Sequence, residues 1–179
     1  MKHFIWKAAI FFTTLLVIQL TAQEFKVPQN YSLVKKEDYK PYEKDVLAGI
    51  EFLENSPFDK NPEKRKEINT FLLKWMMGCP YVKIDLHSYV LEYAQKNKDF
   101  IMTFLGGWTR YAIEHSKDVN KFSGNLEGLR SIIKVYQNGK GIKEDKKVEK
   151  LVKLEKDSKL EEWLRKKLDE TSKEEKKGK

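Results

Sequence analysis

The stretch from Asp99 to Ser116, DFIMTFLGGWTRYAIEHS, most strongly constrains how this chain can fold. Its apolar side chains surround most of a helix instead of forming one stripe: Phe100, Ile101, Met102, Phe104, Leu105, Trp108, Tyr111, Ala112 and Ile113. A helix with so little polar surface is usually covered on more than one side. Gly106 and Gly107 each cost about 1 kcal/mol relative to Ala, which is tolerated where a neighbouring backbone comes close or the helix bends. We therefore expect the central helix of an all-helical domain.

Amphipathic segments on both sides of this helix predict the rest of a compact bundle of six to seven helices. Apolar residues recur at helical spacing in about 42–54, 62–77, 86–96 and 119–138, and again from 146 to 168, which forms either two helices or one bent helix. Repeat-like packing of helix pairs is one arrangement left open. Gly124 and Gly128 lie four residues apart and predict a close crossing of two helices. The segment 81–85 alternates, but no partner strand is evident, so we interpret it as an extended connector.

Several residues are expected to start or stop these helices. Asx side chains and proline are typical of helix starts, and glycine is typical of helix ends. On this basis the sequence predicts caps at Asn61 (before Pro62), Gly78, Asp85, Asp99, Gly139 and Asp145.

Residues 1–22 have the organisation of a secretory leader and resemble the signal peptides of Gram-negative bacteria. Lys2 and Lys7 precede the run AAIFFTTLLVIQL, and a small residue, Ala22, stands at the predicted cleavage site. Thirteen residues are short for a spanning helix, which needs about 20. We expect export to the periplasm or beyond it, with no membrane span after cleavage; an uncleaved anchor is the alternative.

Charge is concentrated at the end of the mature chain. Removing the leader leaves 33 Lys and Arg against 27 Asp and Glu, and residues 140–179 hold 15 of the first and 11 of the second. Because the signs alternate there, a solvated helix is favoured over a nucleic-acid-binding face, and docking on the domain is favoured over lying on a membrane. The predicted organisation is a leader (1–22), an extended arm (23–41), one helical domain (42–170) and a disordered charged tail (171–179).

The linker YQNGKGIKEDKK, residues 136–147, resembles the inter-helix stretch of Sel1-like repeats. That family consists of helix-pair repeats, so the resemblance implies a helix–turn–helix linker and a protein-binding scaffold. The match covers about twelve residues, and no second copy occurs at a period near 36. Val148 stands where the repeats usually have alanine.

Few residues suggest catalysis. Cys79, Asp85 and His87 are close in sequence, and Glu114 and His115 follow on the central helix, but the usual ligand spacings of zinc sites are absent. Cys79 is the only cysteine, so no intrachain disulfide forms, and its place at a helix C-terminus disfavours an activated thiolate. The sequence predicts no cofactor, no metal site and no catalytic residues.

Tyrosines offer one positive indication of a site. Helices that carry several tyrosines often line a groove in which the rings are buried and the hydroxyls stay in contact with water. The candidates for such a peptide- or protein-binding groove are Tyr81, Tyr89, Tyr93 and Tyr111. The leading hypothesis is a non-enzymatic binding or adaptor module of the bacterial envelope. The alternative is a small periplasmic enzyme, such as a metal-dependent hydrolase.

Overall fold

The computed structural model describes residues 25–177 and contains seven α-helices and no strand in that range. The helices are α1 (Glu43–Asn55), α2 (Pro62–Gly78), α3 (Ser88–Leu91), α4 (Phe100–Glu114), α5 (Lys121–Asn138), α6 (Lys146–Lys156) and α7 (Leu160–Lys177). The all-helical prediction is confirmed, whereas the predicted leader lies outside the described residues. None of these helices combines the length and the hydropathy that crossing a membrane would require.

The chain before α1 packs on α2. Residues 25–35 have no regular secondary structure, and two 3-10 turns follow, at Lys36–Asp38 and Lys40–Tyr42. Tyr39 is buried: its hydroxyl donates to the Leu33 carbonyl over 3.1 Å, and its own carbonyl accepts from Trp75 Nε1 over 3.0 Å. The first bond folds the segment on itself, and the second joins it to the second helix.

The α4 helix contacts α1, α3 and α5, so it is covered on more than one side, as the sequence predicts. Phe100, Phe104 and Trp108 lie one turn apart and are almost completely buried. Fully burying such side chains stabilises a fold by about 1.5–3 kcal/mol each relative to leaving them exposed. This helix therefore supplies much of the apolar contact that holds the bundle together.

The α4 and α5 helices form the most extensive helix pair, and glycines allow their close approach. A Cβ at Gly128 would lie 2.6 Å from the Phe104 ring, and one at Gly124 would overlap the Trp108 indole. On the other helix, a Cβ at Gly107 would lie 2.5 Å from the backbone oxygen of Glu127. The predicted close crossing is confirmed.

The α5–α6 linker has the capping chemistry that its sequence predicts. Gly139 and Gly141 have left-handed backbone, with φ of 66° and 71°. The Asp145 side chain accepts from the Lys147 backbone N–H over 2.9 Å, while the Tyr136 hydroxyl accepts from the Asp145 N–H over 2.9 Å. The linker therefore joins two helices; no repeated helix pair is evident in the described residues.

Two other predicted caps are confirmed in position but not in their bonds, since Asn61 and Asp99 do stand at the N-caps of α2 and α4. The Asn61 and Asp99 side chains make no capping hydrogen bond, and Gly78 is the last residue of α2, followed by extended Cys79. Gly78 is needed for another reason, since a Cβ there would overlap the Tyr39 hydroxyl. The third helix begins after His87 instead of after Asp85, and it covers four residues of the predicted 86–96.

The last two helices pack on the domain with their apolar faces. Val148 and Leu151 of α6, and Leu160 and Leu164 of α7, are at most 1% exposed. Thr171 is also buried, and α7 continues to Lys177, which differs from the disordered tail predicted from residue 171.

Candidate functional site

A cleft of about 650 Å³ opens between α4, α5 and α7. Its lining mixes aromatic and charged side chains: Gly107, Arg110, Tyr111, Glu114, His115, Asn120, Phe122, Ser123, Leu126, Glu127, Arg130, Glu161 and Arg165. We call it the α4–α5–α7 cleft. Its size falls within the range of about 300–1,000 Å³ that is typical of ligand sites.

One wall of the cleft is a stacked aromatic pair at the end of α4. The rings of Tyr111 and His115 lie 4.4 Å apart at an angle of 22°. Helical spacing produces this stack, because residues four apart lie one above the other. His115 Nδ1 lies 3.0 Å from the Tyr111 carbonyl oxygen, which fixes the ring orientation. The Tyr111 hydroxyl accepts from the Asn120 N–H over 3.4 Å, at the start of α5.

The opposite wall carries an arginine held against an aromatic ring. The Arg165 guanidinium carbon lies 4.0 Å from the centroid of the Phe122 ring. Among the side chains that the structure describes, no carboxylate forms an ion pair with Arg165. The ring therefore orients this guanidinium while its N–H donors stay available to a carboxylate or a carbonyl oxygen.

Arg130 joins the carboxylates along the side of the cleft. It contacts Glu127 Oε1 at 2.9 Å, Glu155 Oε1 at 2.8 Å and Glu161 Oε1 at 3.7 Å. Partial burial opposes its charge, but the bonds to Glu127 and Glu155 outweigh this and raise the pKa of the Arg130 guanidinium. The charge of Arg130 is thus already neutralised within the protein.

A buried carboxylate beneath the cleft ties three helices together. Glu54 of α1, 4% exposed, accepts from Arg110 Nη2 of α4 over 2.7 Å. From α5 it accepts from Lys134 Nζ over 2.8 Å and from the Ser131 hydroxyl over 3.0 Å. Sequence reasoning missed this network, because its partners are 56 to 80 residues from Glu54 and a single glutamate in an amphipathic helix gives no local signal.

The four predicted groove tyrosines lie in different surroundings. Tyr111 lines the α4–α5–α7 cleft, whereas Tyr89 and Tyr93 are 2% and 6% exposed. The Tyr89 hydroxyl donates to Asn125 Oδ1 over 2.8 Å inside the domain. Tyr81 packs edge-on against Trp75, with ring centroids 6.2 Å apart, and burial, followed by the neighbouring Cys79, raises the pKa of its hydroxyl. The structure does not bring these four side chains to one groove.

The residues considered for catalysis are also dispersed. Asp85 Oδ2 lies 3.7 Å from His87 Nε2, and Glu114 and His115 line the α4–α5–α7 cleft. Cys79 is buried, and burial is the chief cause that raises the pKa of its thiol. Within residues 25–177, no group of three or more His, Cys, Asp and Glu side chains is placed to hold a metal ion.

Comparisons of the chain with protein-family models, with curated proteins and with solved structures found no match. The resemblance of residues 136–147 to Sel1-like linkers stays a prediction from sequence.

Proposed function

We propose that this chain is a non-enzymatic, exported helical protein of the bacterial envelope that binds a peptide or a protein segment in the α4–α5–α7 cleft. The observation that carries the proposal is that aromatic side chains and an arginine without an ion pair among the described carboxylates line one concave site. Tyr111 and Phe122 offer apolar contact, and Arg165 offers oriented donors. The predicted leader supports the envelope location.

A peptide fits this lining better than a purely apolar ligand. Carboxylates from two helices, Glu114 and Glu161, face the same space as Arg165. A chain of amides with both donors and acceptors, and with side chains or termini of either sign, can satisfy such a mixed surface. An apolar molecule would leave the charges desolvated and unpaired, which is costly.

The proposal is tested by capturing partners from an envelope extract with the chain lacking residues 1–22. Ser123 is half-buried in the cleft, and no hydrogen bond of its side chain is found among the described residues, so Ser123→Trp fills the space without removing a bond. Ser32→Trp, at an exposed position before α1, is the matched control. We expect a stoichiometric partner with the unmodified chain and with Ser32→Trp, and its loss with Ser123→Trp. Equal capture by all three would refute binding in the cleft.

A further inference from the structure

The acidic and basic side chains of α6 have different surroundings, although they alternate in the sequence. Acidic and basic residues alternate along 144–157, which on sequence alone indicates an ordinary solvated helix. In the structure the two acidic residues of the helix, exposed Glu149 and half-buried Glu155, bond to side chains of α5. Glu155 accepts from Arg130 Nε over 2.8 Å, and Glu149 accepts from the Tyr136 hydroxyl over 3.1 Å.

The outward face of α6 is left basic. Lys146, Lys150 and Lys153 follow the i, i+4, i+7 spacing of one helix face and are all exposed. No ion pair of these three with a described carboxylate is found. We call them the lysine stripe; it covers about 10 Å of helix at 1.5 Å per residue. The stripe ends before Asp157, an acidic residue that follows the helix and lies four residues after Lys153.

The apolar face of α6 cannot take part in binding, because it is already occupied. Val148 and Leu151 lie on the side opposite the stripe and are at most 1% exposed. No aromatic residue occurs in α6 that could stack on a base, as single-stranded nucleic acid would require. The stripe therefore offers positive charge but no apolar side chain that could insert into a membrane. Its flexible lysine side chains suit a surface on which many anionic groups are mobile.

We propose that the lysine stripe docks the protein on an anionic phospholipid surface. Clustered lysines are attracted to such surfaces through the negative surface potential, an effect that acts within about a Debye length and is weakened by salt. The predicted leader delivers the chain to a compartment bounded by membranes. The inference is independent of the α4–α5–α7 cleft, which lies on other residues.

The test is sedimentation of the protein with vesicles of phosphatidylcholine containing 30% phosphatidylglycerol, about 50 mM salt being used first. We expect binding that is lost on pure phosphatidylcholine and falls steeply toward 200 mM salt. Replacing all three stripe lysines with glutamine should weaken binding about a hundredfold, while glutamine preserves the helix. A circular dichroism spectrum of each variant checks that it is folded.

The control removes the same charge from scattered positions. Lys44, Lys60 and Lys117 are exposed, lie on different segments and form no ion pair with a described carboxylate. We expect the triple glutamine variant at these positions to keep most of the binding. Equal losses of vesicle binding in both variants would show that only the net charge of the protein matters, and this would overturn the proposal. Absence of vesicle binding, or stripe-dependent binding that is tighter to an oligonucleotide at equal phosphate concentration, would overturn it as well.

Discussion

Two neighbouring stripes of α5 have different roles: one packs against α4, and the other lines the cleft. Gly124, Gly128 and Ser131 are buried and face α4, whereas the residues one position earlier (Ser123, Glu127 and Arg130) are half-buried and line the cleft. We call these the packing stripe and the cleft stripe. The first is determined by shape, since a single methyl group would overlap an aromatic ring. The second is determined by charge and stays partly in contact with water. Substitutions on the packing stripe should therefore change stability, and substitutions that alter the cleft should change binding.

The largest expected effect comes from the carboxylate that meets the packing stripe. Glu54→Ala should lower the free energy of unfolding by about 3 kcal/mol, because it removes the acceptor for Arg110, Lys134 and Ser131. Urea unfolding measures the change. Glu51→Ala, at an exposed position of the same helix, should stay within about 0.5 kcal/mol. Equal effects of the two substitutions would show that the network contributes nothing.

Substitution on the packing stripe itself comes next. Gly128→Ala should destabilise by about 2 kcal/mol, because the new Cβ would lie 2.6 Å from the Phe104 ring and overpacking outweighs the gain in helix propensity. In α4, Gly106→Ala places its Cβ at 3.1 Å from Ile50 Cγ2 and should cost clearly less. The comparison fails if thermal and urea unfolding rank the two variants in the opposite order.

A smaller effect distinguishes a structural tyrosine from a binding one. Tyr89→Phe should cost about 1 kcal/mol, because Asn125 Oδ1 would lose the donor it has inside the domain. Partner capture should not change, since Tyr89 is 2% exposed. If the folded variant no longer captured the partner, Tyr89 would have the binding role that the sequence predicts, and this interpretation would be wrong.

The smallest of these effects on stability should accompany a clear effect on binding. Arg165→Ala should change the free energy of unfolding by less than about 0.5 kcal/mol, since Arg165 is exposed, but should weaken partner binding about tenfold. Lys166→Ala is the control: it removes an exposed cation from the same helix, one that pairs with Glu162 over 2.7 Å. Titration of the captured partner against both variants checks the difference. Similar affinities of the two would contradict a role for Arg165.

The sequence predicts the parts of this molecule that depend on local pattern. The all-apolar α4 and the glycine pair of α5 are readable because burial on several sides and close approach each need particular residue types at helical spacing. The caps at Gly139 and Asp145 are readable for the same reason. At Asn61 the predicted position is correct, but its side chain makes no capping bond; its backbone is left-handed, with φ of 48°, whereas capping side chains usually start from extended backbone.

The parts that the sequence does not predict depend on distant residues. The third helix ends at Leu91, before its predicted end at Lys96. Further along, Asn97 bonds to Lys143, 46 residues away, in both directions over 2.9 Å, and nothing near Asn97 in sequence indicates that partner. The cleft needs Phe122 and Arg165 to meet, and nothing near either residue indicates the other. Three of the four predicted groove tyrosines lie away from the cleft: Tyr89 and Tyr93 are buried, and Tyr81 packs against Trp75. Tyrosine spacing alone does not reveal which rings the fold buries.

The central claim is that the cleft stripe, and not another face, meets a partner. Site-specific photocrosslinking in the envelope extract tests it most directly, with the photoreactive residue placed at position 123 in one variant and at positions 32 or 44 in others. We predict one dominant crosslinked product from position 123 and little from 32 or 44, both of which are exposed and distant from the cleft in sequence. Equal yields at all three positions, or a product at 32 or 44 alone, would contradict the account.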